Sequence, residues 1–156
     1  MKKFFLLTLL LLSSFAKAKE VLPTGCKPLV IEGSLISIPE GKPRLIAFHN
    51  LTKTDLWITH PVTQADMSTS LSSRLQGDKW SLLKMNRTAF TLSCIESRPG
   101  HEQQVSCQHV ISACEWPALK KQQQRHIFWV AENMNLSPLI AYATRKGWMT
   151  PLDKPD

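Results

Sequence analysis

The sequence predicts a mainly β protein, an antiparallel β-sandwich with one short C-terminal helix. Three observations predict it. Short apolar runs are separated by turn signals roughly every ten residues along most of the chain. Two alternating runs flank Pro99-Gly100 and hold three of the four cysteines. A helix-start signature occurs only near the end, at Ser137-Pro138.

Residues 1–18 have a basic start (Lys2, Lys3), an apolar run over 4–12 and a small-residue exit Ala16-Lys17-Ala18, the layout of a secretory signal peptide cleaved after Ala18. The apolar run is shorter than the roughly 20 residues a spanning helix needs, and no later stretch approaches that length, so no transmembrane span is expected. Gly25-Cys26 is a poor lipidation box: Pro23 stands where such boxes carry Leu, and Lys17, Lys19 and Glu20 separate it from the apolar run. Residues 19–156 then form a single disulfide-stapled domain, long enough to bury about two thirds of its unfolded surface.

The net charge is +7, of which Lys2, Lys3 and Lys17 contribute three, leaving +4 for the mature chain. The basic residues are scattered apart from Lys120, Lys121 and Arg125 around a Gln run, so nucleic acid is not an expected partner. An even number of cysteines behind a signal peptide implies an oxidising compartment and two disulfides. A hairpin turn centred between Gly100 and His101 puts Cys94 opposite Cys107, leaving Cys26 with Cys114; these closures are worth about 3 and 4.5 kcal/mol in the chain-entropy picture. The pairing Cys26–Cys94 with Cys107–Cys114 remains open at this point.

In chain order, 28–38 reads as a strand broken at Glu32-Gly33, followed by a turn over 39–43 and a strand over 44–48. A polar corner over 49–55 leads into a strand at 56–59. Residues 68–75 alternate weakly, and the turn Gln76-Gly77-Asp78-Lys79 into 80–83 predicts a second hairpin. The central pair of strands spans 90–116, with Val105, Cys107, His109 and Ile111 sharing one parity. After a polar segment over 118–125, residues 126–130 return as a strand. Ser137 is then the expected N-cap, Pro138 the first helical residue, Leu139, Tyr142 and Ala143 one face, and Gly147 the stop.

Candidate chemistry is sparse. Cys107 and His109, with His49 or His60 and Met67, Met85 or Met134, outline a copper-type set, yet the spacing is wrong and Cys107 is better used in a disulfide. Ser68, Ser70, Ser72 and Ser73 lack a nucleophile elbow, and there is no CxxC, phosphate loop or HExxH. No catalytic, metal or cofactor residue is therefore named, and a non-enzymatic protein is expected. Of the tryptophans, Trp57 and Trp129 read as core, whereas Trp80 and Trp148 read as exposed contacts.

The stretches FHNLTKTDLWITHP, SSRLQGDKWSLL and CIESRPGHEQQVSCQHVISACEW resemble the enhanced entry protein EnhB family, small secreted host-entry factors of intracellular bacterial pathogens. The resemblance implies a periplasmic or secreted, envelope-associated protein that promotes host-cell entry through protein–protein interaction, and it transfers no catalytic residue. The alternative is a secreted copper-type sandwich protein or a periplasmic enzyme. The expected partner is an envelope or periplasmic protein, contacted through the 49–55 corner or through Lys120, Lys121 and Arg125.

Overall fold

Residues 20–60, 71–86, 88–117 and 127–150 are described by the computed structural model of the chain. The leader, Pro61 to Ser70 with Met67, Arg87, and the segment holding Lys120, Lys121 and Arg125 lie outside them.

Among the described residues, ten strands and two helices follow in order: β1 (Lys27–Pro28), β2 (Leu35–Ile38), β3 (Arg44–Asn50), β4 (Leu56–Thr59), β5 (Ser72–Leu75), β6 (Trp80–Met85), β7 (Phe90–Glu96), β8 (Gln103–Val105), α1 (Cys107–Val110), β9 (Ile111–Pro117), β10 (Phe128–Met134) and α2 (Leu136–Arg145). One antiparallel sheet has the order β1-β9-β3-β6-β10, and a second has β2-β7-β4-β5. In the second sheet β8 continues the edge begun by β2, because β2 pairs Phe90 to Ser93 and β8 pairs Cys94 to Glu96 of the same strand.

The two sheets close over one core. Ile36, Ile38, Ile58 and Leu92 from the second sheet meet Ile46, Phe48, Leu83 and Met85 from the first. The opposite parity of the first sheet, Leu45, Ala47, Leu82, Cys114 and Trp116, is also buried, under Leu139 and Ala143 of α2 and under the N-terminal chain. The molecule is thus a sandwich with a third, outer layer. That layer explains why β3 and β6 read as apolar runs without alternation: strands covered on both faces have no solvent side. Lys84 is a buried polar residue on the outer face; its ammonium lies 5.7 Å from the Phe128 ring centroid, and burial pushes its pKa below the ordinary lysine value.

The expected disulfides are both present, Cys26–Cys114 and Cys94–Cys107, each with Cα atoms 5.4 Å apart. The register behind the second is not the expected one. His101 N–H donates to Arg98 O at 2.9 Å and Gly100 has φ 78°, so Pro99-Gly100 are themselves the central pair of the turn. Glu96 therefore faces Gln103, and Cys94 faces Val105. Cys107 reaches Cys94 because β8 ends there and α1 curls the chain back. This turn also overturns the long second strand: His109 is exposed on α1, and 111–117 crosses to the first sheet as β9, where Pro28 pairs Cys114. Gly33 anchors the turn, its carbonyl accepting from Gln108 N–H and Ser106 Oγ at 3.1 and 3.2 Å.

The expected second hairpin is likewise a crossover. Leu75 pairs Leu56 in one sheet while Trp80 pairs His49 in the other. The Gln76 to Lys79 turn sits so close to the 51–55 loop that a Cβ on Gly77 would lie 2.5 Å from Lys53 O. Asn50 ties the crossover together. Although expected in an exposed corner, it is 0% exposed at the end of β3. Its amide donates to Thr54 O (2.8 Å) and Leu75 O (3.0 Å), and its Oδ1 accepts from Thr52 N–H (2.9 Å) and Thr52 Oγ (2.8 Å). Both donors and both lone pairs are used.

Helix α2 begins earlier than Ser137. Asn135 is extended (ψ 156°) and its carbonyl accepts from Leu139 N–H at 3.1 Å, so Asn135 is the N-cap and Pro138 falls in the first turn, where no intrahelical N–H is needed. Gly147 stops the run with φ 70°. Trp80 is 5% exposed in the outer cluster, not a contact surface. Trp57, Trp129 and Trp148 are half-buried.

Two outcomes follow for stability. Replacing Cys26 and Cys114 by Ala lowers the unfolding free energy by about 4 kcal/mol, and replacing Cys94 and Cys107 by about 3 kcal/mol, measured by urea denaturation of the purified protein. Asn50→Ala costs about 2 kcal/mol in the same assay, because it removes the buried donor to Leu75 O and the acceptor for Thr52 N–H, while Thr54 O and the Thr52 hydroxyl keep each other.

Candidate functional site

The chain between β1 and β2 forms a fork. Glu32 and Leu35 make an isolated antiparallel bridge at its root, with Leu35 N–H donating to Glu32 O at 3.4 Å. Above this point a plain hairpin would zip Val30 against Ser37. It cannot do so while Leu29 N–H is committed to Ala113 O at 2.9 Å, which pulls the first arm onto the edge of the first sheet. The second arm stays on β7, with Ser37 opposite Thr91 and Ile38 opposite Phe90. The arms diverge because they belong to different sheets.

A cleft of about 710 Å³ opens in this fork. One wall is Pro28, Leu29 and Val30, and the other is Ser37, Ile38 and Pro39. His60, Ala89, Phe90 and Thr91 complete its lining. The volume falls within the range of small-ligand and peptide pockets, and the lining is mainly apolar with a few polar groups, the usual composition of a binding site. Val30 of the lining is 76% exposed, so apolar surface continues out of the cleft.

Among the described residues, His60 is the ionisable side chain of the lining. Its ring stacks on Phe90, with centroids 4.4 Å apart and planes 13° from parallel. Nδ1 lies 2.7 Å from Thr91 O, which is solely an acceptor, so Nδ1 carries the proton and Nε2 of the neutral ring keeps its lone pair. His60 thus offers the cleft one fixed acceptor on an immobilised ring.

A second histidine stands on the outer face of the first sheet. His49 stacks on Trp80 with centroids 4.4 Å apart and planes 3° from parallel, its Nδ1 meets Glu20 Oε1, and its Nε2 is 3.7 Å from Asp78 Oδ1. This cluster fastens the N-terminal chain to the sheet, together with the Trp116 Nε1–H bond to Thr24 O at 3.2 Å. Asp78 also accepts from Lys53 Nζ at 3.2 Å, and that hydrogen bond, followed by the lysine charge, holds its carboxyl below the ordinary value of 3.8.

The residues singled out in the sequence are dispersed. Cys107 is bridged, His49 lies in β3 of the first sheet while His60 follows β4 of the second, Met85 is in the inner core and Met134 ends β10, while Met67 lies outside the described residues. Among the described residues, no three His, Cys, Asp or Glu side chains come together as a metal site. Ser72 Oγ shares a bond with Thr59 Oγ at 2.8 Å, and Ser73 donates to Glu132. The 49–55 corner is a joint: besides Asn50, Asp55 bonds Arg74 (2.6 Å) and Gly77 N–H (3.2 Å). Lys120, Lys121 and Arg125 are not among the described residues. The cleft is absent from the sequence reading, although Pro28 and the Gly33 break are its traces there.

No family model, curated protein or solved structure matches the chain.

Because the Asp78 pKa is depressed, its contribution to stability is present above its ordinary pKa and is lost as pH falls through the lower folded value. An NMR titration places the Asp78 midpoint below that of a peptide carboxylate, and Lys53→Gln moves it back up. Added salt weakens the effect, since both partners are exposed.

Proposed function

We propose that the chain is a non-enzymatic, exported binding protein of the bacterial envelope, periplasmic or secreted, that works by protein–protein contact at the cleft. Its resemblance to the enhanced entry family gives that contact a setting, promotion of host-cell entry. The carrying observation is the cleft between two arms held by separate anchors. Cys26–Cys114 fixes the first arm to β9, and the bonds from α1 to Gly33, beside Cys94–Cys107, fix the base of the second. A preformed apolar cleft avoids most of the ordering cost of binding, which favours recognition there over a surface that must first be organised.

The test is site-specific photocrosslinking in envelope fractions, with a benzophenone amino acid at Val30. A discrete adduct is expected, and Ala89→Trp, which fills the cleft from an exposed position, suppresses it about tenfold while leaving Tm within about 2 °C. An adduct formed equally in the filled variant, or equally from a probe at Lys146 on the far end of α2, overturns the assignment.

A further inference from the structure

We infer that the cleft takes an extended peptide segment of the partner, which adds to the free edge of β2 as a further antiparallel or parallel strand. This rests on the cleft being the binding site. The backbone carries the argument. In a β-strand, successive N–H and C=O pairs point to opposite edges, so residues two apart share a direction. Leu35 N–H turns away from β7 to reach Glu32 O across the fork. Ser37, two residues on, therefore directs its N–H and C=O into the fork as well. There the opposing arm has left for the first sheet, and among the described residues no strand pairs with β2 on that side. The bridge between Glu32 and Leu35 is the first rung of a ladder whose next rung has no partner.

The other sheet edges are blunted. β1 is two residues long and tied by Cys26–Cys114. β10 carries two register shifts against β6. β5 is bridged across to β10, with Ser73 bonded to Glu132 and Gln76 N–H donating to Asn133 Oδ1 at 2.7 Å. β8 presents only Gln103, Gln104 and Val105. Protein sheets ordinarily protect edges in these ways. The β2 edge, Leu-Ile-Ser-Ile, has neither Lys, Pro nor bulge within it, and it borders an apolar cleft.

The lining fits such an occupant better than it fits a lipid or a compact small molecule. Main-chain pairing at Ser37 would fix the direction of a strand, and its alternate side chains would lie between Val30 on one arm and Ile38 on the other. An acyl chain would leave the Ser37 main-chain donor and acceptor without partners beside a mainly apolar lining, an unfavourable arrangement. The chemistry that matches is an extended segment with small or medium apolar side chains at every second position.

The experiment uses the mature, oxidised protein and a blocked five-residue peptide of alternating Thr and Val, with binding followed by calorimetry and by amide exchange at Ser37. The peptide is expected to bind and to slow Ser37 exchange. Two derivatives, N-methylated at the odd or at the even residues, then separate: one loses about tenfold in affinity and the other binds like the parent. If both derivatives bind like the parent while Ala89→Trp abolishes binding, the cleft is a binding site but strand addition is wrong. Strand addition is equally overturned, and the cleft retained, if the peptide fails to bind up to millimolar concentration and laurate binds in a manner that Ala89→Trp blocks. Peptide binding that survives Ala89→Trp overturns both the strand and the cleft.

Discussion

The structure turns on one constraint: its central strands, β3 and β6, are buried on both faces. A sheet with two apolar faces must be covered twice, and the remaining chain is spent on doing so. The second sheet covers one side through Ile36, Ile58 and Leu92, and α2 with the N-terminal segment covers the other through Leu139, Ala143 and Leu22. The disulfides sit at the seams of this arrangement. Cys26–Cys114 holds the N-terminal chain on the outer face, and Cys94–Cys107 holds the return from β8 where the chain leaves the second sheet. The crossovers at Asn50 and Gly77 follow from the same need, since each time the chain passes between sheets its polar backbone must be satisfied at the rim.

Much of this is legible from residue pattern. Strands β3, β4 and β7, the late helix and the presence of two disulfides can be read from alternation, turn residues and export, whereas the partner of Cys94 depends on the α1 turn and not on cross-strand register. What alternation cannot supply is the identity of the neighbour. It marks which parity is apolar, and both sheets of a sandwich accept the same parity, so β5 and β6 resemble a hairpin although they belong to opposite layers. The SCQHVI stretch keeps period two through a helical turn too short to impose its own period, which hides the break between β8 and β9. The Pro-Gly register is within reach of the sequence: placing Pro99 and Gly100 at the centre, as the positive φ at Gly100 demands, gives the observed pairing. Trp80 and Asn50 depart from expectation because polar neighbours in sequence do not entail exposure. The absence of alternation in RLIAF and WSLLKM is the available signal that an outer layer exists.

The cleft is less legible because it is a consequence of topology. Pro28, Val30, Ser37 and His60 have no spacing that connects them in sequence. They meet because two neighbouring short strands go to different sheets, and that choice is made elsewhere, by the pairing of Leu29 with Ala113 and of Ser37 with Thr91. A local signal exists only in the Glu32-Gly33 break, where Gly33 adopts φ 60° to turn the chain. It announces a bend, not an opening.

The Cys26–Cys114 bridge also decides how the molecule yields to force. Once tension has released the Glu20–His49 and Thr24–Trp116 contacts, it passes from Cys26 directly to Cys114, 88 positions along the chain, so the second sheet and most of the first stand outside the stretched path. Among the described elements, what remains in series is the end of β9, then β10 and α2. Under pull α2 peels from the outer face first, uncovering Leu82 and Trp80, while β10 stays paired with β6 and its Trp129 stays against Phe48, so the sandwich core and the fork keep their shape. The protein is therefore built as a rigid body with an extensible outer layer, able to stay folded at its cleft while the part nearest the C-terminus gives way.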